Sequence, residues 1–195
     1  MTSPAVFLLD FNSPYAYLAA SRVDAVLGGP ERVRWQPIAF AFLLRAHARE
    51  PWSFHEPARS EGKAECERRA AAYGLPPLVW PPGWPVGSYT LAPLRAAMVA
   101  ERAGRLREFC GAAFARNFVA GTGLASDEDV LAVAAEAGVD PDEVRAGIGG
   151  WAKDALREAT DEALAAGAYG VPTVIVDGEL FWGDDRLEDA ARRLG

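Results

Sequence analysis

Apolar positions along this chain follow two rhythms, strand-like at both ends and helical between them. Residues 5–11, Ala-Val-Phe-Leu-Leu-Asp-Phe, form a short run of strand length and aromatic content. Val33-Arg34-Trp35-Gln36-Pro37-Ile38 then alternates like a second strand. Near the C-terminus, Val174-Ile175-Val176 closes on Asp177-Gly178, a turn signal, and a fourth strand runs up to Trp182. Pro172, two residues before that third run, lacks an N–H and cannot sit inside a central strand. It marks a strand's first residue or a sharp turn ahead of it.

The helical rhythm begins at Ser13-Pro14. The serine hydroxyl accepts from an orphan backbone N–H, and proline suits the first helical position. Ala16, Leu18, Ala19, Ala20, Val23 and Val26 carry that helix to Gly28-Gly29-Pro30, so the chain opens β-α-β. Past Ile38 the spacing predicts helices over residues 40–48, 59–73, 91–103 and 105–120. Ser126-Asp127-Glu128-Asp129 is a capping box that opens another over 130–137. Pro141 starts a short one, and residues 151–166 form the last before the third strand. Residues 50–57 and 76–87 read as loops, the second made rigid by five prolines. Phe109, Phe114 and Phe118 keep near 3–4 spacing and read as core.

With 195 residues, half of them hydrophobic, the chain buries one sizeable core with a helical subdomain. A net charge of −7, with basic residues scattered beside acids, argues against a nucleic-acid partner. Cys66 and Cys110 form no Cys-x-x-Cys, which favours reduced cysteines and a cytoplasmic protein. There is no basic leader, Asp10 cuts the first apolar run short, and no stretch nears the ~18 apolar residues of a membrane span. Neither a signal peptide nor a membrane association is expected. His47 and His55 lack partners at ligand spacing, so no metal is expected.

The chemistry points to Ser13, at a helix N-terminus just beyond the first strand, where ligands bind in open α/β sheets. Two readings compete. As an N-cap it stabilises the helix by about 1 kcal/mol. As a site residue it joins the helix terminus in favouring an anion, and a thiolate held there has its pKa lowered. The chain's own cysteines do not supply that thiol, so it comes with a ligand. Trp80 and Trp84 either pack the proline-rich loop on the core or wall an aromatic pocket. Asp184-Asp185 reads locally as an acidic start complementing the last helix's dipole.

Asp10-Phe11-Asn12-Ser13-Pro14-Tyr15-Ala16-Tyr17-Leu18-Ala19 resembles the opening of the 2-hydroxychromene-2-carboxylate isomerases and their kin, the kappa-class glutathione transferases. Gly170-Val171-Pro172-Thr173 and Phe181-Trp182-Gly183-Asp184-Asp185-Arg186-Leu187 match the family's other signature, so the resemblance spans nearly the whole chain. It implies an α/β, thioredoxin-like fold shared with the DsbA-type disulfide oxidoreductases. A four-stranded mixed sheet from residues 1–38 and 170–195 is interrupted by an all-helical insertion at 39–169. Serine stands where those oxidoreductases carry the first cysteine of Cys-x-x-Cys, so thiol–disulfide exchange is disfavoured.

The resemblance further implies glutathione, or another small thiol, lying between Ser13 and the Val171-Pro172 backbone. A cis Val171–Pro172 bond there turns the N–H and C=O of Val171 outward. The γ-glutamyl ammonium is assigned to Asp185, and its carboxylate to the N–H groups of Gly183 and Asp184. Relatives often carry a neutral residue at 184, so the second acid is expected to hinder glutathione or to favour another thiol. The implied activity is glutathione-dependent isomerisation of a 2-hydroxychromene-type aromatic acid, by reversible thiol addition, ring opening and rotation, in a homodimer. A glutathione transferase and a non-catalytic thiol- or peptide-binding module are the alternatives. Tyr15, Arg49, Arg59 and Trp84 are the expected substrate residues. The family has Gly-Asn where this chain has Ala48-Arg49, and lysine where it has Arg59, and guanidinium is not interchangeable with ammonium.

Overall fold

The computed structural model describes residues 3–86 and 90–195. Gly87, the last residue of the loop predicted over 76–87, lies outside them. Strands β1 (Ala5–Leu9), β2 (Val33–Pro37), β3 (Thr173–Val176) and β4 (Glu179–Trp182) build one sheet in the order β2-β1-β3-β4. β1 runs parallel to β2 and antiparallel to β3, and β4 is antiparallel to β3. The two central strands therefore come from opposite ends of the chain, with Phe7 opposite Val174 and Leu8 opposite Thr173. Pro172 stands just before β3, where its missing N–H removes no ladder bond. Asp177 and Gly178 turn β3 into β4 with φ of 48° and 82°, the two positive values such a two-residue hairpin turn requires.

The helices are α1 (Pro14–Ala20), α2 (Val23–Val26), α3 (Phe40–Ala46), α4 (Ala58–Ala72) and α5 (Leu91–Arg102). After them come α6 (Leu106–Phe118), α7 (Asp127–Glu136), α8 (Pro141–Ile148), α9 (Trp151–Ala165) and α10 (Leu187–Leu194). Every helix predicted between β2 and β3 is present. The Ser126–Asp129 capping box closes in both directions.

Two expectations differ. The first helix does not run unbroken to Val26. Ser21 Oγ donates back to the Leu18 carbonyl at 2.7 Å, an alternative to helix propagation, and the chain turns at Arg22. The guanidinium of Arg22 then lies 4.0 Å over the Tyr73 ring. Residues 50–57 are not all loop, because Trp52–Phe54 forms a 3-10 turn.

One apolar cluster joins the sheet to the helical region, and Phe7, Phe11, Phe109, Phe114 and Phe118 are its largest fully buried members. The α6 phenylalanines are thus core, as their spacing indicated. Phe11 meets Phe114 and Phe109 edge-on at 5.3 and 6.0 Å, and such pairs add about 0.5–1.5 kcal/mol beyond the area they bury. Asn117 Nδ2 donates to the Phe11 carbonyl at 2.8 Å, so α6 fixes the chain two residues ahead of Ser13. Side chains alternate across a strand, and the other sheet face carries a smaller cluster with Leu8, Ile38, Leu43 and Val171. Among the described residues, no helix is long and apolar enough to cross a membrane.

Candidate active site

Asp10 turns the chain out of β1. Its buried carboxylate accepts from the N–H of Asn12 at 2.9 Å, the N–H of Phe40 at 3.0 Å and the Thr90 hydroxyl at 3.0 Å. Burial pushes its pKa up, against the pull of those three hydrogen bonds. This brace delivers Ser13 to the start of α1, where it fills both roles the sequence allowed. Ser13 Oγ accepts from the Ala16 N–H at 3.2 Å and donates to the Val171 carbonyl at 3.4 Å. The Val171–Pro172 peptide is cis, as expected, and so are Glu56–Pro57 and Trp84–Pro85. At the first turn of α1 Pro14 has no N–H, Ala16 is capped, and the Tyr15 N–H is left without an intrahelical acceptor.

These groups line a cleft of about 910 Å³. Tyr15, Trp52 and Trp84 form an aromatic wall, with ring centroids 5.9 Å apart for the first pair and 5.8 Å for the second. The Trp84 indole N–H donates to the Asn12 carbonyl at 3.1 Å, so this tryptophan packs its loop onto the core and lines the cleft as well. Trp52 lies flat on α4 because position 62 is glycine, where a Cβ would fall 2.2 Å from the indole ring. Neither Trp52 nor Phe54 was anticipated. The available signal was an aromatic pair between Pro51 and Pro57.

Arg49 stands at the rim, donating to the Tyr169 carbonyl at 3.0 Å with its guanidinium over the Tyr169 and Trp182 rings. Arg59 is not brought to the cleft. It sits on the first turn of α4 and pairs with Glu56, three residues back, at 2.8 Å.

Arg69 organises the opposite end, and the sequence reading missed it. From the last turn of α4 it reaches Asp184 at 2.7 Å, Glu65 at 2.5 Å and Asp185 at 3.6 Å. Asp184 is only 1% exposed and also accepts from the Tyr73 hydroxyl at 3.0 Å. Burial raises its pKa, opposed chiefly by Arg69. Asp184, the second acid that the resemblance expects to hinder glutathione, is thus buried with its carboxylate engaged by Arg69 and Tyr73. Asp185, with 58% of its side chain exposed, remains open to a ligand.

Gly183 requires a correction. Its N–H already donates to the Pro172 carbonyl at 3.0 Å and is not available to a ligand. The free donors are those of Asp184 and Asp185, at a helix start that leaves them without intrahelical acceptors. Gly183 serves through its conformation. Its φ is 121°, and a Cβ would stand 2.4 Å from Asp185 Oδ1.

Cys66 and Cys110 are free and buried. Burial pushes the Cys66 thiol up to about 12 and raises that of Cys110 as well, so neither offers a thiolate near neutral pH. Among the described residues, no group of three His, Cys, Asp or Glu side chains is placed to hold a metal ion.

A cis-proline loop facing a helix N-terminus, with a helical region between two halves of a mixed sheet, defines a thioredoxin-type domain. Here the helix N-terminus facing the cis-proline loop carries Ser13. The chain belongs to the DSBA-like thioredoxin domain family, whose model matches residues 6–195. It is 28% identical over 195 residues to a 2-hydroxychromene-2-carboxylate isomerase of Sphingobium xenophagum, covering 96% of each. A solved 2-hydroxychromene-2-carboxylate isomerase shares its fold, with a TM-score of 0.84, 24% identity, and 97% of this chain and 95% of that one covered. The cytosolic disulfide reductase DsbM of Pseudomonas aeruginosa, solved with GSH, shares it at a TM-score of 0.65 and 17% identity, covering 98% and 95%.

Proposed function

We propose that this protein is an isomerase that uses glutathione, or another small thiol, to isomerise an aromatic acid of the 2-hydroxychromene-2-carboxylate type. The observation that carries the reading is Ser13 Oγ, held at a helix start 3.4 Å from the Val171 carbonyl in a cleft whose described lining contains no cysteine. The chain-length likeness to an isomerase supports it, and the DsbM structure solved with GSH is a further instance of this fold alongside that thiol. In this reading the segments 1–38 and 170–195 supply the thiol site and the insertion 39–169 supplies the substrate walls. The protein acts as a cytoplasmic homodimer.

The residues present fit a γ-glutamyl thiol. Asp185 offers a carboxylate to its ammonium, and the N–H groups of Asp184 and Asp185 face its carboxylate. The Oδ1 of Asn12 is buried without a partner among the described residues and suits a ligand N–H. Bound there, the thiol supplies a nucleophilic sulfur able to add to a conjugated double bond and leave it again.

The chain's own residues prepare that sulfur. The Ser13 hydroxyl and the unpaired Tyr15 N–H favour the thiolate over the thiol. The Ser13–Val171 contact lies at the long limit for a hydrogen bond, so little is lost when the hydroxyl turns to sulfur. Tyr15, its pKa raised by burial, stays protonated, and with Trp52 and Trp84 it walls the cleft and excludes water. Arg49 brings positive charge to the rim.

The test is to mix the protein with glutathione and a 2-hydroxychromene-2-carboxylate, following the substrate's ultraviolet spectrum and the free thiol together. A spectral change with thiol conserved is expected. Consumption of thiol would make the protein a transferase, and binding without turnover would make it a binding module.

A further inference from the structure

A second cavity, of about 600 Å³, adjoins the first and shares Ala39, Phe42, Arg45 and Leu91 with it. Its charged groups are Arg45 from α3, Arg95 from α5, and Lys153, Arg157 and Asp161 from α9. Four cations thus face one acid in a chain whose net charge is −7.

Among the described residues, Arg45, Arg95, Lys153 and Asp161 form no ion pair within 4.0 Å, and Arg157 pairs only with Asp154, at 3.4 Å. Arg95 Nε is buried with no hydrogen-bond partner among the described residues. A solvated basic face does not bury an unpaired guanidinium N–H, since a buried donor without an acceptor is costly. Gathered like charges repel as well. An anion seated between Arg45 and Arg95 relieves both costs. The other polar group, Thr160, is already engaged, accepting from the Ala39 N–H at 3.1 Å and donating to the Leu156 carbonyl at 2.7 Å.

The rest of the lining is apolar. Phe42 is 48% exposed, an unusual state for a phenylalanine, and Leu91, Leu156 and Leu164 complete the surface. A hydrated inorganic ion would leave that surface bare.

We propose that this cavity binds the carboxylate end of an aromatic acid, with Arg45 and Arg95 holding the carboxylate and Phe42, Leu91 and Leu156 holding the ring. Guanidinium groups suit this task because their planar fork meets a carboxylate with two donors. The ligand's far edge then points across the shared wall toward the Ser13 cleft. That the acid is the isomerase's own substrate rests on the preceding reading, but its binding does not.

The experiment is calorimetric titration of the full chain, without thiol, using 2-naphthoate and its neutral analogue 2-naphthalenemethanol as probes. The acid is expected to bind at least about tenfold more tightly than the alcohol, and Arg95→Gln and Arg45→Gln each to weaken the acid about tenfold while moving the alcohol less than about twofold. Thermal melts check folding, and Arg45, being exposed, keeps the test open if Arg95→Gln unfolds. Equal affinity for acid and alcohol, or wild-type affinity in both variants, overturns the proposal. So does competition between naphthoate and glutathione, which would put the acid in the Ser13 cleft. If glutathione fails to bind at all while naphthoate binds as described, the isomerase reading falls and this site stands.

Discussion

Arg69→Met and Asp184→Asn remove opposite ends of one ion pair, yet the surroundings make the two losses unequal. Asp184 is 1% exposed, and its oxygens are taken by Arg69 at 2.7 Å and Tyr73 at 3.0 Å. Arg69 is a quarter exposed and keeps Glu65 and Asp185 as partners if Asp184 goes. Removing Arg69 strands a buried carboxylate, a loss of about 3–5 kcal/mol, whereas Asp184→Asn keeps an acceptor in place and costs about 1–2 kcal/mol. At about 2–4 °C per kcal/mol for a chain of this size, the melting temperature falls by roughly 6–20 °C in the first case and roughly 2–8 °C in the second.

The pH dependence separates this mechanism from general loosening. Burial raises the folded-state pKa of Asp184, and Arg69 is the main group holding it down. Without Arg69 the folded pKa climbs further. A carboxyl whose folded pKa lies above its unfolded value contributes stability that is full below about pH 4 and is lost as pH rises through the folded pKa. Arg69→Met should therefore regain part of its lost stability relative to wild type when the pH is lowered from about 7.5 to about 5. Asp184→Asn has nothing at that position to titrate. Urea unfolding at both pH values measures each variant's deficit. Equal losses in the two variants, or an Arg69→Met deficit unchanged by pH, would refute the reasoning.

Ser13→Ala should raise the thiol pKa of bound glutathione, read by ultraviolet thiolate titration, and cost about 1 kcal/mol of stability as a lost cap. An unchanged thiol pKa would reduce Ser13 to a cap. Asp185→Asn should weaken glutathione about tenfold in calorimetric titration, the lower end of the range for a charge-assisted contact because the carboxylate is largely exposed. Wild-type affinity would remove it from the site. Cys66 and Cys110 should resist an aromatic disulfide reagent in the native protein and react fully in denaturant, and rapid native labelling of either would contradict their burial.

The two terminal motifs were legible because their physics is local. A serine followed by proline makes a helix start, a proline ahead of an apolar run makes a strand entry, and Asp-Gly makes a tight turn. Of the helices between them, α7 and α8 carried caps of their own, and the others were marked by the spacing of their apolar residues and by the glycines and prolines at their ends. What stayed hidden is tertiary. Arg69 is one of two adjacent arginines on a charged helix, and only the approach of α4 to the start of α10 singles it out. Asp184 and Asp185 looked alike as helix-start acids, but one is buried under Arg69 and the other is open. Arg59 was expected at the site because it stands where the family resemblance implies a lysine, yet it pairs with a glutamate three residues earlier and lies outside the cleft. Trp52 reaches the cleft only because Gly62 leaves room for its ring.

The site's division of labour follows from which elements meet at it. The Pro172 carbonyl accepts from Gly183, and Arg69 ties Asp184 and Asp185 to α4, so the cis-proline loop and the start of the last helix form one unit clamped from above by the insertion. A substitution on that face of α4 displaces Asp185, and with it the place offered to the thiol's ammonium, without touching Ser13. The second cavity draws its cations from α3, α5 and α9, none of which contributes to that clamp. Among the described residues, the two ends therefore meet through Ala39, Phe42 and Arg45 at α3 and through Leu91. Residues further than about 7–10 Å apart with no shared partners change energies nearly independently. If the second cavity holds the acid, substitutions on α3, α5 and α9 should change which acid binds while leaving glutathione affinity unaltered, and a joint change in both affinities would tie the two cavities into one site.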